Sequence, residues 1–379
     1  MKTVWMWFLI WVTALLAGSL YAKDRDQGIL LRGTVGAAAV VMQLGGDHPW
    51  WGNGVYFYEK YRQDIALQGS SISDDALDDD STAKRYQFKE YDTDDMGNTG
   101  HFDLTRDGDS FKGTFTLGEK TVPVALRVVA PDSIPNPQPD LNLNEPLSDY
   151  EKLKLAGIQF SPGKTETVRG KYTIQWFTEP RSQIAVFRVT GGYPEPVMRA
   201  INRVIDAEAY GGALGYLGCS FGGKPGAEPD IITGYYLSDR FVSYRKSFYS
   251  LCDGMPHSEF GTYGITIDAR TGKKLTLEDV YWLGTGNKPK LYSEAWFKYR
   301  SEVFEPKVAK LLQKLYPEQV EEYGCDEPFR DGLWYFTAKG LYIGYCTQGV
   351  YSDSDTPFPS WSVIPWRILK KNNPDLDGE

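Results

Sequence analysis

One stretch of this sequence matches a catalytic motif: Gly218-Cys219-Ser220-Phe221-Gly222 has the GxSxG spacing that sets a serine nucleophile on a sharp turn between a strand and a helix. Its flanks do not suit that turn. Gly211, Gly212, Gly215 and Gly218 run up to it and Gly223, Pro225 and Gly226 follow, so the segment reads as a glycine-rich loop. Three histidines are present, His48, His101 and His257, none within helical or hairpin reach of another, and a histidine metal site would need a convergence that this spacing does not supply. Asp92, Asp94, Gly97 and Asp103 are spaced like three ligands and the turn glycine of an EF-hand loop. Met96 takes a ligand position there and the flanks are strand-like, so a hairpin turn at Gly97-Asn98 is the better account. Asp74, Asp75, Asp78, Asp79 and Asp80 crowd one loop and read as a solvated acidic segment. The sequence thus predicts no catalytic residue, no metal site and no cofactor.

Binding is the chemistry that remains. Aromatics make up 14% of the residues, and Trp50, Trp51, Tyr351, Phe358 and Trp361 fall in turns or irregular segments, where exposed rings stack on sugars or anchor a protein partner. His257, in the turn Cys252-Asp253-Gly254-Met255-Pro256-His257, joins Tyr351, Phe358 and Trp361 as a candidate binding residue. The formal charge of −9 disfavours nucleic acid and anionic lipid and permits a basic partner.

Met1 to Ala22 has a single early cation, Lys2, an apolar run from Val4 to Leu16 and small residues at Ala17, Gly18 and Ser19, the outline of a secretory signal. Cleavage after Ser19 and after Ala22 both stay open, as does an uncleaved anchor, since about 20 apolar residues span a bilayer. The expected location is periplasmic or secreted, with no membrane insertion after cleavage. Cys219, Cys252, Cys325 and Cys346 all lie in the second half, and an even count in an oxidising compartment favours disulfides. Three pairings are possible; the expected one joins the nearest neighbours, Cys219 to Cys252 and Cys325 to Cys346.

The elements that must position these residues divide in two. Between Gly28 and Val129 eight short apolar or alternating runs are separated by Gly, Asn and Asp turns: Ile29–Val35, Ala37–Leu44, Gly54–Glu59, Asp64–Gln68, Arg85–Tyr91, Gly100–Leu104, Ser110–Leu117 and Lys120–Val129. They predict an antiparallel meander or small barrel. Pro131, Pro135, Pro137, Pro139 and Pro146 then mark a stiff linker. Beyond it, Lys171–Phe177 and Gln183–Thr190 read as a strand pair, and Glu195–Ala209 as a helix with Val197, Ala200, Ile201, Val204 and Ile205 at helical spacing. Tyr235–Leu251 and Tyr263–Asp268 read as strands, Lys290–Tyr316 as a long helix kinked or divided at Pro306, and Leu333–Phe336, Leu341–Cys346 and Trp361–Trp366 as closing strands. Thr276 fits an N-cap with Asp279 as the capping-box acid and Leu275 and Val280 as a hydrophobic staple. The predicted fold is a β-rich N-terminal meander or small barrel followed by an α+β domain with a mixed or antiparallel sheet and a long helix. The predicted divisions are a signal peptide over 1–22, an all-β domain over 23–130, a linker over 131–148 and the α+β domain over 149–379.

Three blocks of the second half resemble a bacterial extracytoplasmic domain of unknown function found in the outer portion of lysozyme-sensing anti-sigma factors and ahead of some peptidoglycan deacetylase domains. They are Tyr263–Val280 with its Thr-Gly-Lys and Leu-Thr-Leu-Glu-Asp elements, Trp334–Tyr345 (WYFTAKGLYIGY), and Val363-Ile364-Pro365-Trp366. Glu195–Ala209 and the strands before it look like the smaller domain that precedes this module in relatives, so the likeness covers roughly Leu155 to Lys370. That family's Gly-Gly-Ala-His turn stands here as Asp253-Gly254-Met255-Pro256-His257, keeping the histidine. The chain carries neither a deacetylase metal motif nor a cytoplasmic sigma-binding segment, so only ligand binding is implied. The leading expectation is an exported, non-catalytic envelope module of sensing type that binds lysozyme or a peptidoglycan fragment. A carboxylate-dependent hydrolase of envelope glycans and an interaction subunit of an envelope complex are the alternatives.

Overall fold

A computed structural model describes residues 28–45, 54–69, 84–91, 99–143, 146–323, 333–344, 360–373 and 376. The eight N-terminal runs form eight strands: β1 (Ile29–Val35), β2 (Ala38–Leu44), β3 (Gly54–Tyr58), β4 (Ile65–Gln68), β5 (Lys84–Glu90), β6 (His101–Asp107), β7 (Ser110–Leu117) and β8 (Lys120–Val128). Each pairs antiparallel with the next, and β8 returns to β1 with Leu31 opposite Val128 and Val35 opposite Val124, closing a barrel. Strand alternation sends Leu31, Val40, Met42, Tyr56, Leu67, Phe88, Phe102, Leu104, Phe111, Val124 and Leu126 into one buried cluster. Arg85, His101, Thr105, Lys112 and Arg127 face out and are exposed. Apolar inside and polar outside is the reverse of a lipid-facing barrel.

One flank of the barrel breaks that rule. Val41, Val55 and Phe57 point outward yet are buried, because helix α1 (Asp149–Leu155) lays Tyr150 over them, its ring 5.1 Å from that of Phe57. Ser148 and Glu151 form the capping box that starts this helix: the Ser148 N–H reaches the Glu151 carboxylate at 2.8 Å, and the Glu151 N–H reaches the Ser148 hydroxyl at 3.2 Å. The turn after β3 grips the other end. Arg62 donates to the carbonyls of Leu153 and Lys154, and Arg181 donates to the Lys60 carbonyl at 3.1 Å. The proline-rich segment before α1 packs as well, since Leu141, Leu143 and Leu147 lie against a cluster containing Leu155, Ile158, Tyr210 and Leu217.

The second half is built of small antiparallel sheets and helices, where one mixed or antiparallel sheet was expected. β9 (Ser161–Val168), β10 (Tyr172–Thr178) and β11 (Ala185–Gly191) form the first sheet in the order β11-β10-β9. The second holds β14 (Ile231–Leu237), β15 (Phe241–Ser250) and β16 (Glu259–Asp268), and a two-stranded ribbon, β12 (Ser220–Phe221) with β13 (Lys224–Pro225), precedes it. Helix α2 (Glu195–Gly218) buries Ile201, Ile205 and Ala209 against both sheets, with Tyr172, Phe187, Tyr244 and Ile267. It runs nine residues past the predicted end at Ala209, through the glycines that read as a loop. Burial of Tyr210, Ala213 and Leu217 on its inner face outweighs the weak helix preference of glycine.

The strand, turn and helix at Tyr263–Val280 form as expected. Gly272 adopts φ 70° in the turn, and a Cβ there would collide with Ala200 of α2, so only glycine lets helix and turn meet. Helix α3 (Leu277–Val280) begins with the predicted capping box, the Asp279 carboxylate accepting from the Thr276 N–H and hydroxyl at 2.9 Å each. Burial pulls the Asp279 pKa up, but those bonds and Lys288 together hold it below the usual carboxylate range.

The predicted long helix is α4 (Glu294–Tyr299) running through a π turn (Arg300–Phe304) into α5 (Glu305–Leu315), followed by α6 (Pro317–Tyr323). Pro306 is the second residue of α5, in the first turn after the π turn, where a missing N–H is tolerated. These helices share a core with β17 (Trp334–Thr337), β18 (Gly340–Ile343) and β19 (Val363–Pro365), in which Phe304, Leu312, Phe336, Leu341 and Ile364 are buried. The closing strand expected over Trp361–Trp366 covers only β19; Trp366 starts helix α7 (Trp366–Asn372). Among the described residues no helix is long and apolar enough to cross a membrane.

Candidate binding cleft

Between the barrel and helix α2 lies a cleft of about 1360 Å³. One wall comes from the start of β1 and the end of β8, a second from the proline-rich segment and the N-terminus of α1, and a third from α2. Glycine supplies four of the seven α2 residues on that wall, beside Ala207, Glu208 and Leu214. Gly211, Gly212, Gly215 and Gly218 fall on one helical face toward the cleft, and at Gly211 and Gly215 nothing lies within 4 Å of where a Cβ would stand. Packing therefore does not demand glycine at those two positions, although each weakens the helix by about 1 kcal/mol relative to alanine.

Two charged clusters flank this bare face. At the barrel end, Lys154 Nζ lies 2.5 Å from Asp64 Oδ2, and the Tyr150 hydroxyl donates to Asp64 Oδ1 at 2.6 Å. Lys154 is 3% and Asp64 6% exposed, and the Asp64 N–H caps the end of α2 through the Leu217 carbonyl at 2.8 Å. Tyr150 is pushed well above the ordinary tyrosine range by burial and then by the Asp64 charge. At the sheet end, Lys246 meets Asp230 at 2.7 Å, Tyr263 donates to Asp230 at 3.0 Å, and Lys274 meets Glu208 at 2.5 Å. Burial first, then Asp230, raises the Tyr263 pKa in the same way.

The carboxylates lining the cleft are Asp64, Asp149, Glu151 and Glu208. Asp64 faces Lys154, Asp149 faces Lys152 at 2.7 Å, Glu151 closes the α1 capping box, and Glu208 faces Lys274. Each is thus engaged by a cation or an N–H donor of the chain itself, and no two of them pair with each other as the acid and nucleophile or base of a glycosidase would. Among the described residues no group of three His, Cys, Asp or Glu side chains gathers as a metal site would require.

The GxSxG serine lies in the wrong setting for a nucleophile. Helix α2 ends just before Ser220, which itself opens the β12 ribbon, the opposite order to a strand-turn-helix elbow. Ser220 is buried and its hydroxyl donates to Asp253 Oδ2 at 2.8 Å, while Oδ1 accepts the Gly222 N–H at 2.8 Å. The Cys219–Cys252 disulfide sits beside this pair, so two adjacent links tie the end of α2 to the Asp253 turn, and both cysteines line the cleft. Cys325 and Cys346 lie outside the described residues.

Of the sequence-predicted binding residues, His257 and Trp361 lie away from the cleft lining. His257 is half-buried in the β15–β16 connection, its Nδ1 3.3 Å from the Ser258 carbonyl. Trp361 is half-buried against Tyr316, their rings 5.4 Å apart, as part of the helical core. Tyr351 and Phe358 lie outside the described residues. The cleft residues Asp64, Tyr150, Lys154, Glu208 and Lys274 carry no local signal. Their sequence separations, such as the 90 residues from Asp64 to Lys154, place them together only through the fold. The glycine spacing from Gly211 to Gly218 was the one visible trace. Compared with protein-family models and with curated proteins, the chain matches none.

Proposed function

We propose that this chain is an exported, non-catalytic binding module of the cell envelope, periplasmic or secreted, whose cleft receives a peptidoglycan fragment. The observation that carries this reading is the open, side-chain-free face of α2 at Gly211 and Gly215, which lets an extended chain lie against the helix between two charged clusters. A muropeptide has the matching chemistry: a narrow backbone of amides and hydroxyls with carboxylates along it. The Cys219–Cys252 disulfide fits an oxidising compartment, and the resemblance to a sensing module points to the same class of ligand. The engaged carboxylates of the cleft favour binding over hydrolysis.

Calorimetry on the mature protein tests the proposal, with a muropeptide mixture and lysozyme as parallel titrants. The expected result is muropeptide binding that Gly215→Leu abolishes without lowering the melting temperature. Turnover of an envelope glycan would promote the hydrolase reading. Lysozyme binding that survives Gly215→Leu and fades as salt rises to about 0.5 M would move the ligand from the cleft to the acidic surface.

A further inference from the structure

The start of α4 presents apolar side chains that none of the described residues covers. Leu291 is 38%, Tyr292 72% and Phe297 56% exposed. Tyr292 holds φ 61°, a left-handed conformation that bulky residues rarely adopt, and Ser293 caps the helix immediately after it by accepting from the Trp296 N–H at 3.2 Å. Trp296 is half-buried beneath them. Its indole N–H donates to Glu278 at 3.0 Å, and the Arg300 guanidinium, itself 2.7 Å from Glu278, lies 4.8 Å from its ring. The rings of Tyr292 and Phe297 stand 5.3 and 5.0 Å from that of Trp296, at interplanar angles of 65° and 78°. Three aromatic rings are thus ordered in advance by a buried ion pair.

The charge around this tip differs from that of the chain. Lys288, Lys290 and Lys298 are exposed there; the acids beside them are Glu294, Glu302 and Asp279, the last 3.3 Å from Lys288. On α5 the exposed Lys307, Lys310 and Lys314 continue the positive sign. Cations dominate locally in a protein of net charge −9. Rings set nearly at right angles give no common platform on which a sugar chain could stack. A projecting group of Leu, Tyr, Trp and Phe fringed by lysines fits the boundary of a bilayer, with the rings at headgroup depth and the ammonium groups on lipid phosphates.

We propose that the α4 tip is a peripheral docking site for an anionic lipid surface. It adsorbs without crossing, and the site is separate from the cleft. Vesicle cosedimentation of the mature protein tests it, using vesicles of phosphatidylcholine alone and of phosphatidylcholine with phosphatidylglycerol. Binding is expected to the anionic vesicles and to be much weaker to the neutral ones. Lys290→Glu with Lys298→Glu should weaken it at least about 25-fold, each lysine near such a surface contributing roughly fivefold. Tyr292→Gly with Phe297→Ser should abolish it; glycine accepts the left-handed backbone, so the melting temperature should not fall through strain at position 292. Absence of vesicle binding, binding equal on both vesicle types, or binding unchanged in the Tyr292→Gly/Phe297→Ser variant overturns the proposal. Capture of a protein through the tip without vesicle binding overturns it in favour of a protein partner.

Discussion

The barrel and the half that follows it solve the same problem differently. In the barrel every strand pairs with its neighbour in sequence and the last returns to the first, so ladder and core close within one stretch of chain. The second half spreads its strands over separate sheets, and its cores are completed by helices and by contacts made far apart in sequence. A closed ladder has no edge to offer a ligand and its interior is filled by side chains. The cleft accordingly lies outside the barrel, which supplies one wall, while the exposed helix face comes from the less regular half.

The sharpest way to break this comparison is to cut the link between the halves. Lys154→Met leaves the Asp64 carboxylate buried without its cation and should destabilise the protein by about 3–5 kcal/mol in chemical denaturation. Hydrogen exchange should show β1–β3 amides persisting longer than those of α2 if the barrel stands by itself. Removing the disulfide with Cys219→Ala and Cys252→Ala should cost about 4 kcal/mol, given a sequence separation of 33, and should loosen the Asp253 turn while leaving barrel exchange unchanged.

Tyr150→Phe is a smaller cut at the same seam. It deletes a hydrogen bond to a charged group and should cost about 1.5–3 kcal/mol at neutral pH. It also changes the alkaline profile. The folded protein holds the Tyr150 proton more tightly than the unfolded chain, whose tyrosines titrate near the ordinary value of 10.0. This contribution is therefore complete below that pH and is lost as pH rises beyond it, and the variant should show a shallower decline in melting temperature above about pH 10. The smallest effect separates two glycines on one helix face. Gly211→Ala meets open space and should stabilise by up to about 1 kcal/mol, whereas a Cβ at Gly212 would stand 2.9 Å from Asp230 Oδ2 and should cancel or reverse that gain. Equal melting shifts for the two variants would contradict this picture of the cleft.

The barrel was legible because alternation and turn residues act locally. Ile29–Val35 and Ser110–Leu117 were readable to the residue, whereas the choice between an open meander and a closed barrel stayed open in the sequence and is made by the pairing of β8 with β1. The capping box at Thr276 and the Cys219–Cys252 pairing were legible for the same reason, each depending on a short spacing. Helix α2 was misread past Ala209 because glycine propensity is local, whereas the burial of Tyr210, Ala213 and Leu217 that extends the helix is tertiary. Strand β9, whose SPGKTETV sequence is mostly exposed, has no apolar alternation to announce it. The exposed aromatics of α4 lay inside the predicted Lys290–Tyr316 helix without being singled out, since sequence cannot say which face of a helix finds a neighbour. The cleft was the least legible feature, its charged pairs being made only when barrel, α1 and α2 converge.

The outer flank of the barrel has a consequence for the order of assembly. A nascent chain that has emerged as far as Val128 already contains every strand needed for closure, yet Val41, Val55 and Phe57 wait for Tyr150 to cover them. During that interval the newborn barrel is a folded body with one adhesive side, and synthesis that stalls within the proline-rich segment prolongs it. Chains halted there should cluster flank to flank, or be held by a chaperone on that side, until the next two dozen residues arrive and turn the adhesive surface into the seam that joins the halves.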